Sequence, residues 1–327
     1  MAAVAVVGGG PAGCAFAVTA ARCGHEVVLY DEGRRLRTWP GESLPSGGGE
    51  LVASVLGVEI LDGHQRAYGT AAAWGSSELQ THDFMTHWAG HGWILDRDRF
   101  DASARDVAAT TGVKVVHERI TELPRDVEWV VDASGRAGTM VSRLDVPRIV
   151  CDSQIALVAV VPDIGGENVT TVESAPSGWW YTTPLADDRR VVALVTDSDL
   201  VDGDRASAWR SGLADTTYIR VLAGDVRSAD VGAYPSGTAY RGQMIGDGWL
   251  TVGDAAACFD PLSSQGLVTG IAMAARAATM LEGDLVGWSR DYDAVIAEHL
   301  AVRDEYLRAE TRWPHEPFWA RRLSPPD

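Results

Sequence analysis

Gly8-Gly9-Gly10-Pro11-Ala12-Gly13 follows directly on the apolar run Ala2–Val7, and that order predicts a strand ending in a glycine turn that continues as a helix. The run is short, continuous and rich in Val, the pattern of a parallel strand buried on both faces. Gly8 permits the tight turn, Gly10 lets the backbone come close to a diphosphate, and Gly13 lets the helix pack on the strand. Downstream, residues 14–23 are rich in Ala, Gly24 stands where a helix C-cap belongs, and Glu26–Tyr30 reads as a second strand ending at Asp31. A carboxylate at about 20 residues' spacing can accept hydrogen bonds from ribose hydroxyls. Strand, glycine turn, helix, strand and terminal acid make a dinucleotide-binding βαβ unit, with phosphates expected at the helix N-terminus beside Pro11 and Ala12.

Two later stretches narrow the nucleotide. Residues 129–132 read as a strand running into Asp132-Ala133-Ser134-Gly135-Arg136, and residues 249–252 as another running into Gly253-Asp254. A carboxylate at Asp254 can bond the ribityl hydroxyls of a flavin. Pro261 then offers a rigid wall beside the ring, and Ser263-Ser264-Gln265-Gly266 opens an Ala-rich helix over 266–280. The N–H groups of that helix start can face the N1/C2=O edge of the ring, where negative charge gathers on reduction. In this order the three motifs point to FAD, held by a chain that leaves one sheet and returns to it.

The expected fold class is therefore α/β: a Rossmann-like, three-layer ββα FAD-binding domain with an inserted antiparallel β-sheet substrate domain. Residues 1–60, 94–150 and 236–327 are assigned to the discontinuous FAD-binding domain, and 61–93 with 151–235 to the β-rich domain that covers the substrate. Within the latter, residues 155–161, 179–183 and 190–196 read as strands, 205–213 and 217–223 as helices. The tail after Trp313 reads as irregular. The 327 residues are 46% hydrophobic with a net charge of −17 and no Lys/Arg run, which fits an ordinary globular core and argues against a nucleic-acid partner. Cys14, Cys23, Cys151 and Cys258 form no Cys-x-x-Cys pair, so neither a metal site nor a disulfide framework is expected. The apolar start carries no basic segment and is broken by Gly8, and no apolar run approaches the ~18 residues of a membrane span. A cytoplasmic protein with no membrane partner is the expectation.

Taken together, these segments resemble the flavin-dependent monooxygenases of the para-hydroxybenzoate-hydroxylase fold and, among them, the flavin-dependent halogenase branch. Gly41-Glu42-Ser43-Leu44-Pro45 looks like that branch's Gly-Glu-Ser segment beside the ring, and Arg97 with Phe100-Asp101 looks like its Arg-x-x-Phe-Asp helix start. By that match Glu42, Ser43 and Arg97 help hold FAD. Two departures count against halogenation. Where tryptophan halogenases carry Trp-x-Trp-x-Ile-Pro, this chain reads Gly178-Trp179-Trp180-Tyr181-Thr182-Thr183-Pro184-Leu185, with Tyr181 and Thr183 out of pattern. Halogenases also need an active-site lysine before the Arg helix, whereas the single lysine here, Lys114, follows it.

The Gly-Trp-Trp-Tyr stretch with Asp187 and Arg189 is similar to LodB-like maturation flavoproteins and to the flavoprotein that oxidises tryptophan in quinohemoprotein amine dehydrogenase. The resemblance implies an FAD-dependent monooxygenase that hydroxylates or oxidises an electron-rich aromatic of indole or tryptophan type, free or on a peptide or protein, through a flavin C4a-hydroperoxide. Its implied co-reactants are O2 and either NAD(P)H or a separate flavin reductase. The rivals are an FAD-dependent dehydrogenase or oxidase, a geranylgeranyl-type reductase, a halogenase, and a maturation chaperone without turnover.

Trp179 and Tyr181 share one strand face opposite Trp180, and with Trp93 they are the candidate substrate wall. His82, His87 and His91 cluster at a spacing that fits no common metal site, and His87 is the candidate acid/base. The chain ends soon after the Ala-rich helix, unlike the longer halogenases, so the cavity is expected to be open to a large partner.

Overall fold

The computed structural model describes residues 1–33, 42–84 and 88–323. The chain opens with β1 (Ala3–Val7), α1 (Pro11–Arg22) and β2 (Glu26–Tyr30), followed by β3 (Glu42–Leu44), α2 (Gly48–Leu56), β4 (Gln65–Ala67), β5 (Gly69–Ala73), β6 (Gln80–Asp83) and β7 (Gly92–Leu95). Next come α3 (Arg97–Thr110), β8 (Lys114–Val116), β9 (Trp129–Asp132) and β10 (Arg148–Val150). The long strands β11 (Gln154–Pro162), β12 (Val169–Ala175), β13 (Gly178–Pro184) and β14 (Arg189–Asp197) lead to α4 (Arg205–Ala214) and α5 (Ile219–Ala223). After β15 (Val231–Pro235), β16 (Ala239–Arg241), β17 (Ile245–Gly246), β18 (Trp249–Thr251) and β19 (Ala257–Cys258), the chain ends in α6 (Gly266–Thr279), α7 (Leu285–Ala309) and α8 (Pro317–Leu323).

Val4, Ala5 and Val6 are buried on both faces of β1, which places that strand inside a sheet of order β17-β18-β9-β1-β2-β8. Every pairing in it is parallel except β17 with β18. The small residues of α1 let it lie against this sheet, and the apolar cluster so formed takes in α2, α3, α6 and α7. The result is Rossmann-like, as the opening residues dictate.

A second sheet has the order β15-β11-β14-β13-β12-β5-β6. It is antiparallel apart from the parallel pair β5 with β12. Its pleat sorts the aromatic residues of β13. Trp180 packs with Trp209, Leu213 and Ile219 beneath α4 and α5, while Trp179 faces the other way with Phe318 and Trp319. The buried Glu173 fixes α5, accepting hydrogen bonds from the backbone N–H groups of Thr217 (2.5 Å), Tyr218 (2.9 Å) and Ile219 (3.0 Å), a cap for an otherwise open helix start.

The tail corrects one expectation. Instead of running irregularly after Trp313, it forms α8, with Pro317 in the first helical turn where its missing N–H is harmless. Two smaller three-stranded sheets have the orders β3-β7-β4 and β10-β16-β19. Among the described residues, no helix is long and apolar enough to cross a membrane.

Candidate functional site

The three glycine motifs, far apart in sequence, meet at the start of α1. Gly8 has φ +116°, and a Cβ there would lie 2.2 Å from the Ala133 carbonyl oxygen, so the first motif is pressed against the Asp132 turn. A Cβ on Gly13 would lie 1.9 Å from the Gly8 carbonyl oxygen, and one on Gly253 (φ +59°) would lie 2.6 Å from the Ala12 side chain. Gly270 in α6 faces both Gly253 and Ala12, its Cβ position 3.7 and 3.9 Å away. The first turn of α1 and the second turn of α6 are thus brought to one place, and both helix starts favour a negatively charged ligand.

Gly10 differs from the others. It caps α1 with φ −79° and no side-chain cap, and nothing lies within 4 Å of its Cβ position. Neither backbone strain nor packing requires glycine there, so the space is room for a ligand. Pro11 fills the first helical turn. Gly266 has the same open surroundings at the start of α6. Ser264, just before it, takes the left-handed conformation (φ +51°) that turns the chain into the helix.

Asp31 ends β2 as the spacing predicts, and its Oδ2 is buried without a hydrogen-bond partner. A ribose hydroxyl would satisfy that acceptor. The nearest cation is Arg105 on α3, with Nε 3.4 Å from Oδ2 and Nη1 donating to the Gly9 carbonyl at 3.2 Å. Sequence reasoning missed Arg105, although it lies eight residues after Arg97 and so on the same helix face. Arg97 itself pairs with Asp101 at 3.2 Å. Cys14, beneath this loop, is no nucleophile, since burial pushes its thiol up to about 12.

Asp132 is buried and spends both carboxylate oxygens on its own chain. Oδ1 accepts from the Ser134 N–H (3.0 Å) and hydroxyl (2.6 Å), Oδ2 from the N–H groups of Met140 (2.8 Å) and Val141 (2.7 Å). It therefore shapes the turn on which Gly8 rests. Asp132→Asn is expected to lower stability by about 2 kcal/mol, because an amide N–H would face backbone donors; urea unfolding checks this.

At the ring end, Asp254 is exposed beside Gly253. Pro261 is held by Asp260, which is fully buried, accepts from the Leu262 N–H at 2.8 Å and from Gln154 Nε2 at 2.7 Å. Burial raises the Asp260 carboxyl above its usual range, an effect opposed by those two donors. Asp260 is a second residue that the sequence motif did not single out. The Ser43 hydroxyl lies 3.5 Å from that of Thr170, which in turn donates to Thr183 at 3.2 Å, joining β3 to the Tyr181 face of the second sheet. Gln265 is exposed at the α6 start, and Glu42 contributes its backbone to β3.

The aromatic residues depart from expectation. Trp179 is 1% exposed, covered edge-on by Trp74, which in turn meets Trp319; α8 supplies that cover, so Trp179 is core rather than cavity wall. Tyr181, tilted against Trp179 at 5.9 Å, is half-buried at the rim. Trp93 packs on α2, where a Cβ on Gly49 would lie 2.3 Å from its Nε1. His82 is exposed on β6, and His87 lies outside the described residues. His91 meets Trp93 edge-on at 4.9 Å with a buried, unpartnered Nε2. Burial, then Arg66, holds it below the usual histidine range, so its neutral, proton-accepting form prevails at pH 7. Among the described residues, no cluster of His, Cys, Asp or Glu could hold a metal ion.

Comparison with known proteins agrees with this geometry. Residues 2–55 match the family model of pyridine nucleotide-disulphide oxidoreductases. Over its whole length the chain is similar to the FAD-dependent oxidoreductase LodB of Marinomonas mediterranea, with 27% identity covering 97% of this chain and 95% of that one. The tryptophan 2-halogenase of Chondromyces crocatus is 27% identical over 87% of this chain and 62% of its own length. Among solved structures, the peptidyl tryptophan dihydroxylase essential for tryptophylquinone cofactor biogenesis superposes with a TM-score of 0.83 at 25% identity, covering 99% of this chain and 79% of that one. The homologues of this chain thus include LodB-like FAD-dependent oxidoreductases, flavin-dependent halogenases and menaquinone reductases. The residues present fit FAD: two helix starts, one open approach at Gly10, one acceptor at Asp31 without a hydrogen-bond partner and one exposed carboxylate at Asp254.

Proposed function

We propose that this chain is an FAD-dependent monooxygenase that oxidises an electron-rich aromatic of indole or tryptophan type. The observation that carries the reading is the contact of the Gly8–Gly13 loop with the Ala133–Ser134 turn and with Gly253, in a chain similar from end to end to an FAD-dependent oxidoreductase and to a peptidyl tryptophan dihydroxylase. Bound FAD would supply oxygen activation, with O2 as co-substrate and electrons from NAD(P)H or a separate flavin reductase. Gly8, Gly10, Pro11, Ala12 and Gly13 would take the diphosphate, and Asp31 the ribose. Asp254 would hold the ribityl chain, while Pro261, Ser264, Gln265 and Gly266 border the ring. Tyr181 and Ser43 would border the substrate, and neutral His91 would be a candidate proton acceptor. Glu42 and Arg97 remain assignments by resemblance, His87 one from its histidine cluster, and the division of the chain into FAD-binding and substrate-covering domains one from the sequence pattern.

Similarity to a tryptophan halogenase favours a second reading, halogenation. Lys114 opposes it, being exposed on the outermost strand of the Rossmann-like sheet. Labelled dioxygen separates the two. Incubated with reduced FAD, 18O2, halide and tryptophan or a tryptophan-bearing peptide, the protein should give a product heavier by the isotope and free of halogen. A halogenated product, or an oxidised product without label, would defeat the monooxygenase reading.

A further inference from the structure

We propose that Arg105 is a positioning residue for the ADP half of the cofactor, compensating the charge of Asp31 so that a diphosphate can approach. The assignment rests on the FAD reading above. Asp31 places a carboxylate at the edge of the glycine loop, and a Cβ on Gly9 would lie 2.7 Å from the Asp31 Cβ, so loop and acid are in contact. An unscreened carboxylate there repels the phosphates that the α1 N-terminus attracts.

Arg105 bridges the two. Its Nε approaches Asp31 Oδ2 at 3.4 Å and its Nη1 donates to the Gly9 carbonyl at 3.2 Å. One contact sets a positive charge beside the carboxylate and the other ties the loop to α3. The guanidinium side chain keeps 28% of its surface exposed, and Nη2 makes no hydrogen bond among the described residues, leaving a donor for an incoming oxygen. Arg97 is not equivalent, because Asp101 takes its guanidinium four residues along the same face.

The test is nucleotide binding, not turnover. Apoprotein of wild type, Arg105→Gln and Arg105→Lys is titrated with FAD and with ADP at low and high salt, and the unfolding temperature of each ligand-free protein is measured. Wild type is expected to bind both nucleotides. Arg105→Gln should bind both about tenfold more weakly or worse, with a shallower salt dependence, and Arg105→Lys should recover part of the loss with ligand-free stability unchanged. ADP affinity in Arg105→Gln equal to wild type overturns this assignment and leaves the FAD reading standing. Equal loss in both variants, with the salt dependence of wild type, overturns it as well. Wild-type protein that binds neither nucleotide overturns the FAD reading and this inference together.

Discussion

Gly10→Val is expected to fold as the wild type does and to bind FAD about a hundredfold more weakly. The backbone at Gly10 has φ −79° and extended ψ, a conformation that suits a β-branched residue. Its Cβ position is empty to 4 Å, so the protein itself loses at most about 1 kcal/mol through the poorer helix cap. The diphosphate loses its approach to the α1 N–H groups, and with it charge-assisted hydrogen bonds of about 1.5–3 kcal/mol each; two of these at the lower end of that range correspond to roughly a hundredfold in Kd. Gly13→Val makes the contrast, because its Cβ would fall 1.9 Å from the Gly8 carbonyl oxygen and the α1–β1 packing cannot form around it. Urea unfolding of ligand-free protein together with FAD titration separates the two effects. Normal FAD affinity in a folded Gly10→Val protein would mean that the loop does not cradle a diphosphate.

That contrast also marks what was legible in the sequence. The parallel sheet could be read because β1 is apolar on both faces and because glycine, strand and acid follow at fixed spacing, all local signals. The alternation of Trp179, Trp180 and Tyr181 was equally legible as a pleat. Which face would be covered was not, since the cover is α8, more than a hundred residues later, and neither Pro317 nor Trp319 announces its partner. The parallel pairing of β5 with β12 was hidden for the same reason: registers between distant strands leave no periodicity of their own. Arg105 and Asp260 act through contacts with Asp31 and Gln154 that only the folded chain creates. Asp132 stood out for the right position, yet its four hydrogen bonds show it holding the turn.

Trp319→Ala should destabilise the protein by about 3–5 kcal/mol, the usual range for emptying a buried aromatic site. Trp319 is 0% exposed, meets Trp74 edge-on at 5.5 Å and donates its Nε1–H to the Ala175 carbonyl at 2.8 Å. Trp319→Phe keeps most of the packing and should cost about 1 kcal/mol for the lost hydrogen bond with some volume. The same C-terminal segment is bound by charge. Glu310, also 0% exposed, accepts from Arg312, the Ser174 hydroxyl and the Gly75 N–H, and Asp197 takes both Arg321 (3.0 Å) and Arg322 (2.6 Å). Lifting this segment would part Glu310 from Ser174 and Gly75 and leave the buried Asp197 without Arg321 and Arg322, a cost that a removable lid does not carry. On the Trp179 side α8 covers the sheet, so under the proposed function a substrate would approach from the Tyr181 side. Urea unfolding of the two variants, alongside turnover of free tryptophan and a tryptophan-bearing peptide, decides the matter. If Trp319→Ala keeps its stability within about 1 kcal/mol of wild type and turns over the peptide faster, the segment is a lid and substrate enters beneath it.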